Sequence, residues 1–151
     1  MPAPVQLPPA DDRFVSAMTE FKGAPLYLRL HYASLQCPRA NEFPYKLAFA
    51  MPIKQITSAG VPTAHELDQL NAAEDLLRLE TPKRFNGLHC MTLTTGLMRE
   101  VVFYVQPQPH AEQLANAIAQ KVASHAVQVC YEPEPNWESF RYFTQSVCLD
   151  S

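Results

Sequence analysis

Residues 60–82 read GVPTAHELDQLNAAEDLLRLETP, and this stretch decides the fold. Gly60-Val61-Pro62 breaks the chain. Thr63 and Glu66 then stand at the spacing of a reciprocal capping box, with the Thr63 hydroxyl taking the N–H three residues on and Glu66 reaching back to the N–H of Thr63. A helix therefore starts here. It continues through Leu67, Leu70, Leu76, Leu77 and Leu79, and Pro82, by forcing Thr81 into extended geometry, predicts its end.

Upstream of that helix, Tyr45, Leu47, Phe49 and Met51 recur with period two, the mark of a strand with one buried face, and Pro52 marks its end. Downstream, Leu88 to Thr94 and Met98 to Gln106 read as strands joined at hairpin length by Thr95-Gly96-Leu97. After Pro107 and Pro109, the spacing of Leu114, Ala117, Ile118 and Val122 predicts a second one-sided helix, and Val127, Val129 and Tyr131 a last strand. The order strand, helix, strand, strand, helix, strand is the split βαβ repeat of a ferredoxin-like fold, βαββαβ, in which two helices cover one face of an antiparallel sheet. Phe14 to Phe21 and Leu26 to Tyr32, separated by Lys22-Gly23, add an N-terminal β-hairpin that widens the sheet. In its second strand Leu26, Leu28 and Leu30 face the core, and Tyr27, Arg29 and His31 face water.

The fold class expected is thus α+β. A chain of 151 residues suits one core, and 47% hydrophobic with 18% charged residues is an ordinary globular composition. Residues 13–146 read as a single domain, 1–12 as a flexible arm punctuated by Pro2, Pro4, Pro8 and Pro9, and 147–151 as a tail. The arm lacks the basic start and apolar middle of a signal peptide. A net charge of −3 with no Lys/Arg run argues against nucleic acid as a partner, and no apolar run reaches the roughly 18 residues that span a bilayer. Cys37, Cys90, Cys130 and Cys148 show no spacing of a zinc or dithiol site. Cys90 and Cys130 read as buried thiols in strands, which points to the cytoplasm.

Chemistry concentrates at few positions. Glu74, four after Leu70 and three before Leu77, falls inside the apolar stripe of the first helix, where a lone carboxylate is costly. Arg99 is in phase with Val101, Phe103 and Val105 and points to the helix-covered face, so Glu74 is expected to meet Arg99. The pair serves either as a structural ion pair or as part of a ligand or catalytic site. Glu100, Val102 and Tyr104 share the opposite, uncovered face, where His31 and His89 could also lie. His65 and His110 stand near helix starts and are expected to be solvated, and no two histidines have the i, i+4 spacing of a metal pair. Glu132, Glu134 and Glu138 lie in a proline-rich acidic segment read as solvated, while Trp137, Phe140, Tyr142 and Phe143 form an aromatic cluster over a core edge. No nucleophile elbow or phosphate loop is present, so neither metal nor cofactor is expected.

The residues as a set resemble the uncharacterised bacterial family catalogued as domain of unknown function 695. The carriers are Gly60-Val61-Pro62-Thr63 with Glu66, Leu70 with Glu74-Asp75 and Leu77, the hairpin Gly96 to Tyr104 read as G-x-x-R-E-x-x-F-Y, and Glu134-Pro135-Asn136-Trp137 followed by Phe140. The resemblance implies a fold and no reaction. Some relatives resemble fusions to the regulator of ribonuclease activity B, itself a ferredoxin-like inhibitor module, and this implies a regulatory role. The expectation is a non-catalytic module that binds another protein through the uncovered sheet face or a sheet edge, with Glu74, Arg99, Glu100, Tyr104 and Trp137 as candidate binding residues. The alternatives are a small-molecule binding protein or enzyme gathering Glu74, Arg99, Tyr104 and His89, and an immunity protein that neutralises a toxin.

Overall fold

The computed structural model describes residues 14–36 and 39–145; the proposed arm, the tail, Cys37 and Cys148 lie outside them. In chain order the elements are β1 (Phe14–Phe21), β2 (Ala24–His31), α1 (Tyr32–Gln36), β3 (Tyr45–Pro52), α2 (Ala64–Arg84), β4 (Gly87–Thr94), β5 (Met98–Val105), α3 (Ala111–Ala119), β6 (Gln128–Pro133) and α4 (Glu138–Thr144). The protein is an α+β fold. Its six strands form one sheet in the order β1-β2-β4-β5-β3-β6, and every neighbouring pair is antiparallel. Among the described residues no helix is long and apolar enough to cross a membrane.

The N-terminal hairpin forms because Lys22 and Gly23 both take left-handed backbone, at φ 54 and 80, the geometry that matches a two-residue turn to the strand twist. β2 then docks antiparallel to β4, which places Tyr27 opposite Thr94 and Arg29 opposite Thr92. Tyr32, expected at the end of that strand, instead opens the short α1.

On one face of the sheet, Leu47, Phe49 and Met51 of β3 and Val101, Phe103 and Val105 of β5 pack beneath α2 and α3. The stripe of α2 is narrower than its leucines imply, since Leu70 and Leu77 are fully buried while Leu67 and Leu79 are exposed. In α3 the buried set is Ala111, Ala115, Ile118 and Ala119, and Ala117 faces water. The other face is not open. Val102 and Tyr104 are fully buried there, under Trp137 and Phe140, together with Leu26, Leu28 and Leu30. The aromatic segment after β6 folds back as α4 and closes this face, because exposing so much ring surface would forgo roughly 1.5–3 kcal/mol per large apolar side chain.

Two histidines also change sides. A bulge in β4 pairs His89 with Phe103 but Met91 with Val102, so one extra residue is taken up at Cys90. His89 and Thr92 consequently face the helices. His31 is buried too, its ring tilted against Phe14 with centroids 5.5 Å apart, rather than solvated. His65 and His110 are exposed, as expected.

The helix boundaries of α2 are half as anticipated. Thr63 caps the helix, its hydroxyl accepting from Glu66 N at 3.2 Å. The return bond is absent, since Thr63 N donates to Gln55 O and the Glu66 carboxylate accepts from Lys54 N and lies 3.1 Å from His125 Nε2. The far end runs through Pro82 to Arg84, because in a last turn the missing proline N–H forgoes one bond while Phe85 N still reaches Thr81 O at 2.9 Å.

Candidate functional site

Glu74 lies at the centre of the most elaborate polar cluster among the described residues. Its position on α2 turns the side chain down onto β4 and β5, where it is 1% exposed. Oε1 accepts from Arg99 Nη1 at 3.2 Å; Oε2 accepts from Arg29 Nη2 and from the Thr92 hydroxyl at 3.1 Å. Arg99 also donates from Nη1 to Asn71 Oδ1 at 2.7 Å and from Nε to the Thr94 hydroxyl at 3.0 Å. The expected meeting of Glu74 and Arg99 is therefore present, with a second cation that the sequence placed in water. Burial pushes the Arg99 guanidinium below its ordinary value; Glu74 opposes that shift and Arg29 reinforces it. One carboxylate serves two guanidiniums, so the cluster carries a net positive charge.

Arg29 was missed because period two alone assigns Tyr27, Arg29 and His31 to one side of β2 without saying what covers it. The register supplies the answer. Arg29 stands opposite Thr92 and Thr94 stands opposite Arg99, which brings both arginines to the foot of α2.

A cavity of about 370 Å³ opens over this cluster. Arg29, Arg99, Thr92 and Thr94 form its polar floor, and Ala17, Tyr27, Leu67, Val61 and Pro62 are among its apolar walls. It exists because β1 and β2 carry the sheet past the edge of α2, leaving a step between helix and hairpin. The loop forming its rim is tied down. Thr57 N donates to Val61 O at 2.7 Å, Ile56 bridges to Pro62, and a Cβ on Gly96 would come within 2.7 Å of Gly60 O. A site of this size with a few converging polar groups has the character of a small-molecule pocket.

His89 joins from the rear, with Nε2 2.9 Å from the Thr92 hydroxyl. The Glu74 carboxylate, paired with two guanidiniums, only accepts, so Thr92 spends its single proton on Glu74 and receives one from His89 Nε2–H. Desolvation pulls the His89 imidazole down to about 3, with Arg78 and Arg29 adding to the effect. The ring is thus neutral, with its proton directed inward to the network.

The remaining candidates lie across the sheet. The Tyr104 hydroxyl donates to Glu134 Oε1 at 2.6 Å and accepts from Phe140 N at 3.2 Å, and its ring stacks on Trp137 with centroids 4.5 Å apart. Burial, then Glu134, pushes the Tyr104 phenol up. Trp137, in left-handed backbone at φ 52, donates from Nε1 to Phe43 O at 2.8 Å. Glu134, read as solvated, is 7% exposed and accepts from Ser139 N at 2.6 Å and the Ser139 hydroxyl at 3.0 Å. Its burial follows from that role, since the carboxylate caps the turn that brings Trp137 over the sheet. Glu100, half-buried on the same side as Tyr104, has its carboxyl raised by desolvation against the pull of Lys46. The sheet therefore separates Tyr104 from Glu74, Arg99 and His89, and the four do not converge on one pocket.

Among the described residues no three His, Cys, Asp or Glu side chains group as a metal site. Cys90 is buried as expected, but Cys130 is exposed, because β6 is an edge strand and its outward positions lack a covering layer. No curated protein and no solved structure matches the chain. The model of one family does match, over residues 12–144, and the chain accordingly belongs to the Family of unknown function (DUF695).

Proposed function

We propose that the chain is a non-catalytic binding module whose ligand site is the groove over Glu74, Arg29 and Arg99. One observation carries this reading: two guanidiniums share a single carboxylate at the floor of a 370 Å³ cavity with largely apolar walls. Two guanidiniums on one buried carboxylate also occur as a purely structural triad, so it is the cavity opening over Arg29 and Arg99 that marks this one as a binding site. The separation of Tyr104 from Glu74, Arg99 and His89 speaks against the enzyme alternative that gathers these four. The free thiols of Cys90 and Cys130 accord with a cytoplasmic setting. The order β4-β5-β3-β6, with α2 and α3 over one face, supports reading that part as ferredoxin-like.

The test is a backbone amide NMR screen against a mixed library of small acids, amines and neutral fragments. Hits should shift Ala17, Tyr27, Leu67 and Thr94 together. Hits that perturb only other surfaces refute the groove as the site.

A second reading, docking of another protein, is favoured by β1. Among the described residues it pairs only with β2, which leaves its outer edge for strand addition, and Met18 on it is 69% exposed. A partner recovered with the wild-type chain should be lost with Met18→Lys.

A further inference from the structure

We propose that the groove recognises an organic monocarboxylate with an apolar body, its carboxylate laid between Arg29 and Arg99. This rests on the groove being the ligand site, and it adds the chemical class. Charge selects the head group. Two guanidiniums against Glu74 leave one positive charge unmatched, so one further carboxylate completes a neutral two-by-two set, whereas an amine is repelled and a dianion leaves a negative excess beside Glu74.

Donor geometry points the same way. Glu74, Asn71 and Thr94 occupy Nη1 and Nε of Arg99 and Nη2 of Arg29. Nη2 of Arg99 and Nη1 and Nε of Arg29 remain to be shared, and a guanidinium edge matches the plane of a carboxylate. The Thr94 hydroxyl accepts from Arg99 Nε and keeps its own proton to donate. Phosphate sites, by contrast, draw on clustered backbone N–H groups, and here the floor is sheet, whose N–H groups are committed to strand pairing.

The walls select the rest of the ligand. Tyr27 at 41% and Leu67 at 39% exposure are large side chains flanking the cavity, with Ala17, Val61 and Pro62 completing an apolar lining. Its 370 Å³ holds about a dozen groups of water size, at roughly 30 Å³ each. That is the scale of a medium-chain or aryl-substituted acid.

Octanoate is the probe, with octanol, octylamine and inorganic phosphate beside it, each titrated into the full chain while groove amides are followed by NMR. Octanoate should saturate the shifts of Ala17 and Thr94, and the other three should not. Arg29→Gln, at a partly exposed position, should weaken octanoate at least tenfold. Leu67→Glu, on the exposed rim, should do the same by repulsion without touching the core. Tighter binding of phosphate or octylamine, equal binding of octanol, or undiminished octanoate binding in both variants overturns the carboxylate assignment and leaves the groove standing as a site. A groove that responds neither to these probes nor to any fragment of the wider library removes both.

Discussion

The hydroxyl of Tyr104 donates to Oε1 of Glu134 at 2.6 Å inside the second core, and the same oxygen of Tyr104 accepts the N–H of Phe140 at 3.2 Å. One phenol thereby joins the middle of the sheet to the turn and the helix that cover it. Its removal leaves a buried carboxylate short of a donor and a buried N–H without an acceptor. Tyr104→Phe should lower stability by about 1–3 kcal/mol in urea unfolding, with the folded spectrum retained. Unchanged stability would mean that water satisfies both groups and that the aromatic cover is looser than the packing implies.

Glu74→Gln should cost more. The amide keeps the shape but turns one acceptor into a donor facing guanidiniums, and Arg99, 5% exposed, is left as an unpaired buried cation. Breaking such a pair costs about 3–5 kcal/mol, whereas Arg29→Gln, where the side chain is 38% exposed, should cost about 0–1 kcal/mol. The double variant Glu74→Gln with Arg99→Met should recover much of the loss, since no buried charge is left alone. A double variant no more stable than Glu74→Gln alone would assign the effect to packing.

The contrast between those two arginines shows what the sequence made legible. Glu74 and Arg99 were readable because each broke an apolar stripe, and a charge at a core position demands a partner. Arg29 broke no stripe. It lay on the side of β2 assigned to water, and only the pairing of β2 with β4 brings it to Glu74. The strands were legible from period two and α2 from its cap, but the closing of the second face was not, because Trp137 and Phe140 follow prolines and carry no period of their own. Glu134 shows the same limit, since a carboxylate between prolines reads as solvated until the turn it caps is seen. The bulge at Cys90 is a third case, one added residue that moves His89 and Thr92 to the side of Glu74.

His89 should impose a pH dependence on stability. Its imidazole, packed between Phe14 and Phe103, stays neutral in the folded chain down to about 3, and an unfolded histidine protonates near 6.5. Between these values the unfolded state binds a proton that the folded state does not. The stability is therefore full above about pH 6.5 and falls as pH drops, by about 1.4 kcal/mol per unit once protonation of the unfolded chain is complete. The Glu66 carboxyl, raised by burial but held below its ordinary 4.5 overall by Lys54 N–H and His125, adds a loss of the same sign only in more acid solution. Urea unfolding at about pH 7, 6 and 5 should show the decline, and His89→Gln should flatten it. An equally steep decline in that variant would assign it to another group.

Cysteine labelling should separate the two strand thiols by orders of magnitude in rate. Cys90 is wholly buried, its thiol is pushed up to about 12 by desolvation, and Ser34 Oγ lies 3.5 Å from its sulfur. Cys130 is exposed on β6, where desolvation raises its thiol and Lys46 opposes the rise. Alkylation proceeds through the thiolate and needs access, so Cys130 should react in the native protein, faster as pH rises, while Cys90 waits for unfolding. Iodoacetamide treatment followed by peptide mass spectrometry reads both sites in one sample. Because Cys90 sits at the bulge that orients His89 and Thr92, its labelling rate also reports how often that part of β4 opens. A Cys90 rate matching that of Cys130 in native buffer would place the bulge, and with it the rear of the Glu74 network, in frequent exchange with solvent.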